Sequence, residues 1–457
     1  MITTQKTENK KQKTVFSVSL GCPKNLVDTE IMLGQLSRLG WQVVASPEAA
    51  SWLLVNTCAF IAPATQEAVD TVLELARFKK ADPAKRLVVT GCLVQRYGSD
   101  LKRLLPEVDF LVGVHDFPRL PEILGQASTE GAPRLFLGAL PYDYAGPQPR
   151  LAATPPHLAY LKIAEGCSHR CTFCTIPEIR GPYRSRPLNT LLAEAQSLAA
   201  AGVKELILVA QDTTAYGGEW GGRPGLVELL QELCQVEGFR WIRLLYSHPR
   251  RITSELLATM AAHPQVCPYL DLPIQHGHDE MLRRMGRGYG RRLVLDTVRR
   301  IREHLPQAAL RTSVMVGFPG ETEAHFEALL DLVKEVRFQH LGVFLYHPEE
   351  GTPAARFSSQ VPRRLARQRA RRLKALQAKI VKERLKNLVG TTQPVLVEGV
   401  SPESDYLLRG RLITQGPEID GQVYITAGVA QVGEIQPVRL TRALPFDLVG
   451  EICEEGG

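Results

Sequence analysis

Short apolar runs alternate with helix-period stretches at the start of the chain. The runs at residues 15–20, 52–55 and 86–90 are rich in β-branched residues, and residues 25–39 and 65–77 between them repeat their apolar positions every three to four residues. The first pattern predicts buried strands and the second predicts amphipathic helices. This alternation predicts a parallel sheet and therefore an α/β fold.

The middle of the chain repeats the order of strand and helix six times. Because consecutive units of this kind form parallel strands, the pattern predicts a barrel or partial barrel of six (β/α) units, with its chemistry on the loops that follow the strands. The predicted strands are residues 160–164, 205–209, 241–246, 269–272, 310–316 and 341–345, and the predicted helices include residues 191–200, 226–234, 291–304 and 323–336.

The last part of the chain returns to short strands with glycine at the turns. They are predicted at residues 394–398, 406–410, 423–426 and 438–441, which favours a small all-β, OB-like barrel. With 457 residues, the chain has room for about three domains. The predicted organisation is a disordered basic tail (1–14), an N-terminal domain (15–139), a Pro-rich linker (140–156), the six-unit barrel with a basic helix (157–386), and the β-barrel (387–453).

Composition narrows the class of protein. Apolar residues make up 44% and charged residues 23%, which is typical of a globular protein. No stretch approaches the roughly 18 consecutive apolar residues of a membrane span, and the Lys-rich start lacks the apolar core of a signal peptide. We therefore expect a cytoplasmic protein without a membrane partner.

Three cysteines follow the three strands of the first domain. Cys22, Cys58 and Cys92 come after consecutive predicted strands, and Gly21 and Gly91 directly precede two of them. Because ligands of open α/β sheets gather at the carboxyl ends of the strands, these thiols are expected to converge and to bind a metal centre. The alternative is that each is a small buried apolar side chain.

A second set of cysteines follows the first strand of the barrel. Cys167, Cys171 and Cys174 have C-x3-C-x2-C spacing. Three thiolates leave one iron of a 4Fe-4S cluster without a protein ligand, so that iron can bind a small molecule. Zinc is the competing metal but takes four ligands in a structural site; His169 is the nearby candidate, and we interpret it as a solvated loop histidine.

The cysteine triplet, with Phe173 before its last cysteine, resembles the radical SAM superfamily. Further segments make the chain similar to the methylthiotransferases over nearly its whole length. They are residues 19–30 (SLGCPKNLVDTE), 55–60 (VNTCAF), 91–92, 176–187 (IPEIRGPYRSRP), 211–213, 271–276 and 317–323.

The resemblance implies an N-terminal cluster domain, a radical SAM barrel and a C-terminal TRAM barrel. It also implies two 4Fe-4S clusters, one on Cys22, Cys58 and Cys92 and one on the triplet, the second of which binds S-adenosyl-L-methionine as radical source. Another molecule of S-adenosyl-L-methionine supplies the methyl group. Gln211 and Asp212 stand where the superfamily commonly has Gly-Gly-Glu, and are assigned to the S-adenosylmethionine pocket; capping of the following helix is the alternative.

The motifs at residues 19–30 and 176–187 resemble the branch that modifies an aspartate of ribosomal protein uS12, and the family implies an electron donor such as flavodoxin or ferredoxin. Residues 388–457 contain ten acids and four basic residues, which suits a basic protein partner better than RNA. The alternative function is methylthiolation of a tRNA adenosine (isopentenyladenosine or threonylcarbamoyladenosine). An alternative of another class is an iron-sulfur electron carrier or scaffold.

The net charge of +7 has one main source. Residues 363–386 contain eleven basic residues and one acid, so the rest of the chain is slightly negative. Two interpretations stay open for this helix: contact with ribosomal RNA, or a solvated face. The glycine-rich residues 286–292 follow no strand, so we do not interpret them as a phosphate-binding loop.

Overall fold

The computed structural model describes residues 12–126, 134–138, 146, 148–221 and 223–453. They form two compact units. Unit 1 draws on Met1–Tyr144, Gln148–Ala153 and Glu178–Arg180, and unit 2 draws on Ala145–Pro147, Thr154–Pro177 and Gly181–Gly457. Most of the predicted tail, residues 1–11, and part of the predicted linker lie outside the described residues.

Unit 1 contains a six-stranded, all-parallel sheet with strand order β2-β1-β3-β4-β5-β6. The central strands β3 and β4 are buried, in agreement with their continuous apolar runs. The predicted parallel sheet is confirmed. Its strands are β1 Thr14–Ser19, β2 Gln42–Val43, β3 Trp52–Thr57, β4 Arg86–Gly91, β5 Phe110–Val112 and β6 Arg134–Phe136, and its helices are α1 Pro23–Arg38, α2 Ala62–Ala81, α3 Cys92–Leu104 and α4 Leu120–Gly125.

The second unit holds the remaining strands and helices. The strands are β7 Leu158–Lys162, β8 Ala164–Glu165, β9 Arg184–Ser185, β10 Glu205–Val209, β11 Trp241–Leu244, β12 Tyr269–Asp271, β13 Ala309–Val316, β14 His340–Leu345, β15 Thr392–Ser401, β16 Ser404–Leu412, β17 Val423–Ile425, β18 Ile435–Ala443 and β19 Leu448–Ile452. The helices are α5 Ile176–Arg180, which ends in unit 1, α6 Leu188–Ala200, α7 Leu226–Cys234, α8 Ser254–Ala262, α9 Asp279–Arg284, α10 Arg291–His304, α11 Glu323–Val336 and α12 Arg363–Leu388.

Six parallel strands of unit 2 form the predicted partial barrel. They pair as two three-stranded sheets, β7-β10-β11 and β12-β13-β14. A single bridge from Ile242 to Val266 lies between the two halves. The intervening helices bury their apolar stripes against these strands, for example Leu229 and Leu233 of α7 and Phe326 of α11. Because the strands are parallel, the loop after β7 belongs to the end of the barrel where chemistry is expected.

The C-terminal strands close into a five-stranded barrel with the order β15-β16-β17-β19-β18. The predicted OB-like barrel is confirmed, with one strand more than the sequence pattern indicated. That strand, β19, pairs with both β17 and β18 and closes the barrel. Among the helices that the structure describes, none combines the length and the apolar character needed to cross a membrane.

Candidate metal centres

The three N-terminal cysteines stand at the carboxyl ends of neighbouring strands. Cys22 is the N-cap of α1 after β1, Cys58 directly follows β3, and Cys92 is the first residue of α3 after β4. These strands are adjacent in the order β1-β3-β4. The sheet therefore places three cysteines that are far apart in sequence at the ends of neighbouring strands.

The two glycines that precede cysteines of this trio adopt backbone conformations that favour glycine. The φ angle is +91° at Gly21 and +99° at Gly91. A Cβ on Gly21 would stand 2.6 Å from the Cβ of Cys58, and one on Gly91 would stand 2.6 Å from the carbonyl oxygen of Thr57. Any other residue at these positions would be strained and would push the neighbouring cysteine segment away.

A buried arginine lies against this site. Arg180 is 2% exposed; its guanidinium donates to Asp28 Oδ2 at 2.9 Å, to Asn25 Oδ1, and to Cys92 Sγ at 3.5 Å. Asn25 in turn donates to the carbonyls of Leu20 (3.0 Å) and Thr57 (2.9 Å), at the ends of β1 and β3. Arg180 thus places a fixed positive charge beside one thiol, a role that its position in the sequence did not reveal.

Burial holds the thiols of Cys58 and Cys92 in their protonated form when no metal is bound. It raises the pKa of Cys58 to about 12, with a smaller contribution from the nearby Cys92. Burial also raises the pKa of Cys92, and Arg180 opposes that effect. Iron binding must therefore displace protons, because thiolates are the ligands.

The cysteine triplet lies in the loop between β8 and α5, and β8 pairs antiparallel with β9, the strand that follows α5. The loop is also anchored beyond these strands, since the Thr172 amide donates to the carbonyl of Met285 (3.1 Å) and its hydroxyl to the carbonyl of Arg284 (2.8 Å). Burial raises the pKa of Cys167 to about 11 and that of Cys174 to about 12. Neighbouring thiols add to both shifts.

The glycine-rich residues 286–292 supply a second arginine beside thiols, and this one is half-buried. Arg287 donates to Cys171 Sγ at 3.2 Å and is held by the carbonyl of Pro273 (3.0 Å) and the hydroxyl of Tyr289 (3.1 Å). This arginine places a positive charge against the triplet, which sequence reasoning missed.

Asp212 lies in a polar cluster beside the triplet loop. Its Oδ2 is 2.7 Å from His169 Nε2, its Oδ1 accepts from the hydroxyl of Thr214, and Arg251 Nε is 3.7 Å away. Burial alone would raise the pKa of this carboxyl, but the hydrogen bonds from His169 and Thr214 outweigh it and hold the pKa below its usual range. The Asp212 side chain makes no backbone cap, so the capping alternative does not hold for it.

His169 is not the solvated loop histidine that we expected. Besides bonding Asp212, it stacks on His248 with a centroid distance of 4.4 Å. Burial, together with the positive charge of Arg287, lowers the pKa of His248 to about 3, so its imidazole is neutral. Its Nδ1 accepts from the Arg250 amide at 3.4 Å, so Nε2 carries the proton.

Several buried polar atoms around this cluster have no hydrogen-bond partner among the described residues. They include Nε2 of His248 and Oε1 of Gln211, whose amide nitrogen donates to Glu165 at 3.0 Å. Buried polar groups normally have partners. An unsatisfied donor and an unsatisfied acceptor next to the triplet loop fit a polar ligand such as S-adenosylmethionine.

Within the described ranges, no group of three His, Cys, Asp or Glu side chains meets at one point where a single metal ion would bind. A 4Fe-4S cluster does not require such a point, because each thiolate binds a different iron. Both trios consist of thiols alone, which is the donor set of iron-sulfur clusters. The residues present therefore fit two clusters.

Known families match the chain in three successive regions. Residues 14–113 match the uncharacterized protein family UPF0004, residues 161–333 match the radical SAM superfamily, and residues 389–453 match the TRAM domain. The ribosomal protein uS12 methylthiotransferase RimO of Geobacter sulfurreducens is 48% identical over 444 residues, covering 97% of this chain and 99% of the relative. RimO of Myxococcus xanthus is 46% identical, covering 97% and 92%.

The chain belongs to the RimO family. As a radical SAM methylthiotransferase it uses S-adenosyl-L-methionine and two 4Fe-4S clusters, so the resemblance stated from the motifs is confirmed.

Solved structures support the fold of the RimO-family chain. The radical S-adenosylmethionine methyltransferase TsrM from Kitasatospora setae, with tryptophan and aza-SAM bound, has a TM-score of 0.56 at 16% identity, covering 85% of this chain and 79% of TsrM. The cobalamin-dependent S-adenosylmethionine radical enzyme OxsB, with aqua-cobalamin and S-adenosylmethionine bound, has a TM-score of 0.53 at 12% identity, covering 81% and 56%. At these identities the likeness concerns the fold alone.

Proposed function

We propose that this chain inserts sulfur and a methyl group at the β-carbon of an aspartate in ribosomal protein uS12. One observation carries the proposal. The chain places two trios of thiols, each one ligand short of a complete 4Fe-4S cluster, in a sequence that aligns over 97% of its length with a relative named for this substrate.

We assign Cys167, Cys171 and Cys174 to the cluster that binds S-adenosylmethionine, and Cys22, Cys58 and Cys92 to the other cluster. When bound, these cofactors supply the radical, the sulfur and the methyl group.

We assign Gln211 and Asp212 to the S-adenosylmethionine pocket. Asp212 keeps a negative charge there because His169 and Thr214 hydrogen-bond its carboxylate. Gln211 Oε1 and His248 Nε2 offer a buried acceptor and a buried donor. A ligand with both an amino group and a carboxylate satisfies such a pair.

The C-terminal barrel suits a basic protein substrate. Glu398 and Asp420 are neutralised inside unit 2, because Glu398 lies 2.7 Å from Arg411 and Asp420 lies 3.4 Å from Arg311. Acids that stay exposed outnumber the exposed basic residues Arg439 and Arg442; they are Glu403, Asp405, Glu418, Glu434 and Glu451. This surface attracts a basic protein and repels phosphates.

Further partners belong to the same proposal. The electron donor is a protein such as flavodoxin or ferredoxin, and the site of action is the cytoplasm, where ribosomal proteins are assembled. The target is uS12 within the small subunit, where the basic helix contacts ribosomal RNA.

The test is incubation of the reconstituted enzyme with uS12 and, separately, with tRNA, followed by mass spectrometry. We expect a methylthio increment on one aspartate of uS12. Modification of tRNA alone would reject the proposal in favour of the tRNA alternative. Absence of 5'-deoxyadenosine from a reduced, cluster-loaded sample would instead favour an electron carrier or scaffold.

A further inference from the structure

Helix α12 (Arg363–Leu388) has one face buried against unit 2 and one face exposed. The buried face carries Ala366, Ala370, Leu373, Gln377 and Ile380. It packs beside α11 and β14, and Leu373 and Ile380 belong to the core of unit 2. The helix is therefore fixed in orientation, and the side chains opposite to this stripe face solvent.

Two basic residues on the flank of the helix next to α11 have carboxylate partners. Arg369 is 2% exposed and pairs with Glu321 at 2.9 Å, and Arg372 pairs with Glu323 and Glu327. Because α11 and the segment before it supply these carboxylates, the charges on this flank are locally neutralised.

The remaining exposed cations share the opposite face. At 100° per residue they fall within an arc of about 160°, and at 1.5 Å per residue they span about 35 Å of helix. We call this set the basic face: Arg363, Arg364, Arg367, Arg371, Lys374, Lys379, Lys382 and Lys386. No carboxylate in the described part of the chain pairs with any member of this face, and Glu383, the only acid of the helix, pairs with Arg337.

Like charges three or four residues apart repel each other on a helix. Neighbours on the basic face, such as Arg367 and Arg371 or Arg371 and Lys374, stand at that spacing. A row of regularly spaced negative charges outside the protein would relieve this repulsion. The phosphates of a nucleic acid strand form such a row.

The face lacks the features that a membrane or a base-reading site needs. A helix that binds at a membrane surface keeps an apolar face for the lipid, but the apolar face of α12 is packed inside unit 2. The basic face also has no aromatic side chain on which a base could stack. Contacts to phosphates, independent of sequence, are what these side chains can make.

We propose that the basic face of α12 binds the phosphate backbone of structured RNA and that it orients the enzyme on the ribosomal small subunit. The identity of this RNA as ribosomal rests on the proposed function. Contact with phosphates rests only on the placement of the eight cations.

The test compares the full-length, cluster-loaded protein with R364Q/R367Q/R371Q/K374Q. A matched control, K102Q/R103Q/R292Q/R299Q, removes the same charge from exposed positions on α3 and α10. Binding to a short RNA duplex of arbitrary sequence is measured from 50 to 200 mM salt. With about eight phosphate contacts on a duplex, wild-type affinity is expected to fall by roughly 10⁴ over this range. With four fewer contacts it should fall by about 10², so the slope of log K against log salt decreases by about 4.

The control variant should keep the wild-type slope. Equal slopes for all three proteins would overturn the proposal, as would binding to vesicles with anionic lipids in preference to RNA. An equal decrease of this slope in both variants would also overturn the proposal, because the net charge of the protein, and not the basic face, would then determine RNA binding. Circular dichroism melting curves verify that the variants are folded.

A second measurement distinguishes failure of RNA binding by α12 from failure of the proposed methylthiolation of uS12. With methylthiolation as the assay, the α12 variant should lose at least tenfold more kcat/KM on assembled small subunits than on free uS12. Equal losses on both substrates would overturn orientation by RNA. If neither substrate is modified by the wild type but the slope still decreases as stated, the proposed function fails while RNA binding by α12 stands.

Discussion

Replacing Glu205 by Gln removes one negative charge from a buried ionic group of unit 2. Glu205 is fully buried on β10 and accepts from Arg243 Nε at 2.6 Å on the neighbouring strand β11. Its other oxygen accepts from Arg411 of the C-terminal barrel. Arg411 also pairs with Glu398 at 2.7 Å, so two carboxylates balance two guanidinium groups.

The size of the destabilisation follows from the arginine that stays buried without its carboxylate partner. Among the described residues, Glu205 is the only carboxylate that pairs with Arg243, whose side chain is 0% exposed. Removing one partner of a buried ion pair costs about 3–5 kcal/mol, because the other charge is left uncompensated. At roughly 2 °C per kcal/mol for a large domain, we expect Glu205→Gln to lower the Tm by about 6–10 °C.

The assay is thermal unfolding followed by circular dichroism, with Glu335→Gln as the matched control. Glu335 makes the same kind of pair with Arg291 at 2.8 Å, but its side chain is 52% exposed. Exposed pairs contribute about 0–1 kcal/mol, so the control should shift the Tm by less than about 2 °C. Similar shifts for both variants would refute the reasoning from burial.

The same variant has a defined pH dependence. Burial by itself would raise the pKa of Glu205, but Arg243 and Arg411 outweigh it and lower the pKa. A depressed carboxyl pKa stabilises the fold above the pKa of the unfolded state, about 4.3, and this contribution is lost as the pH falls through the folded-state value. The difference between wild type and Glu205→Gln should therefore be constant from about pH 5 upward and should narrow only in acid.

Other predictions concern the metal centres. Cys167→Ala should reduce the iron content from about eight to about four per chain and abolish S-adenosylmethionine cleavage. Cys22→Ala should reduce the iron equally but keep cleavage while losing sulfur insertion; loss of cleavage in a folded sample would contradict this division. Arg287→Gln removes a positive charge beside a cluster ligand, so a redox titration should find a lower reduction potential, and Arg287→Lys should restore part of it. Asp212→Asn should weaken S-adenosylmethionine binding about tenfold in equilibrium dialysis, because a buried negative charge is lost.

Secondary structure with a clear local period was predicted closely. Helices α7, α10 and α11 span the same residues as their predictions. The reason is that the apolar stripe of an amphipathic helix depends only on residues three or four positions apart. Strands β5 and β19 were not predicted. β5 has only three residues, and β19 is defined by pairing with β17 and β18, so neither has a local pattern strong enough to identify it.

The candidate metal ligands were identified from sequence because cysteine has a distinctive chemistry and a recognisable spacing. Their surroundings were not, since Arg287 is 116 positions from Cys171 and Arg180 is 88 from Cys92. His169 was misread for the same reason: its partner Asp212 is 43 residues away. No local pattern records contacts over such separations.

For the charge of α12, too, the sequence and the tertiary structure each decided a different part. The sequence by itself determined the fold class, the six cysteines and a helix with eleven basic residues. Only the tertiary structure decided that Arg369 and Arg372 are neutralised by carboxylates of α11 and of the segment before it, while eight other cations face solvent. The number of charges follows from the sequence, but an ion pair forms only where two charges lie close together. The distance between residues 45 or more positions apart is fixed by tertiary packing.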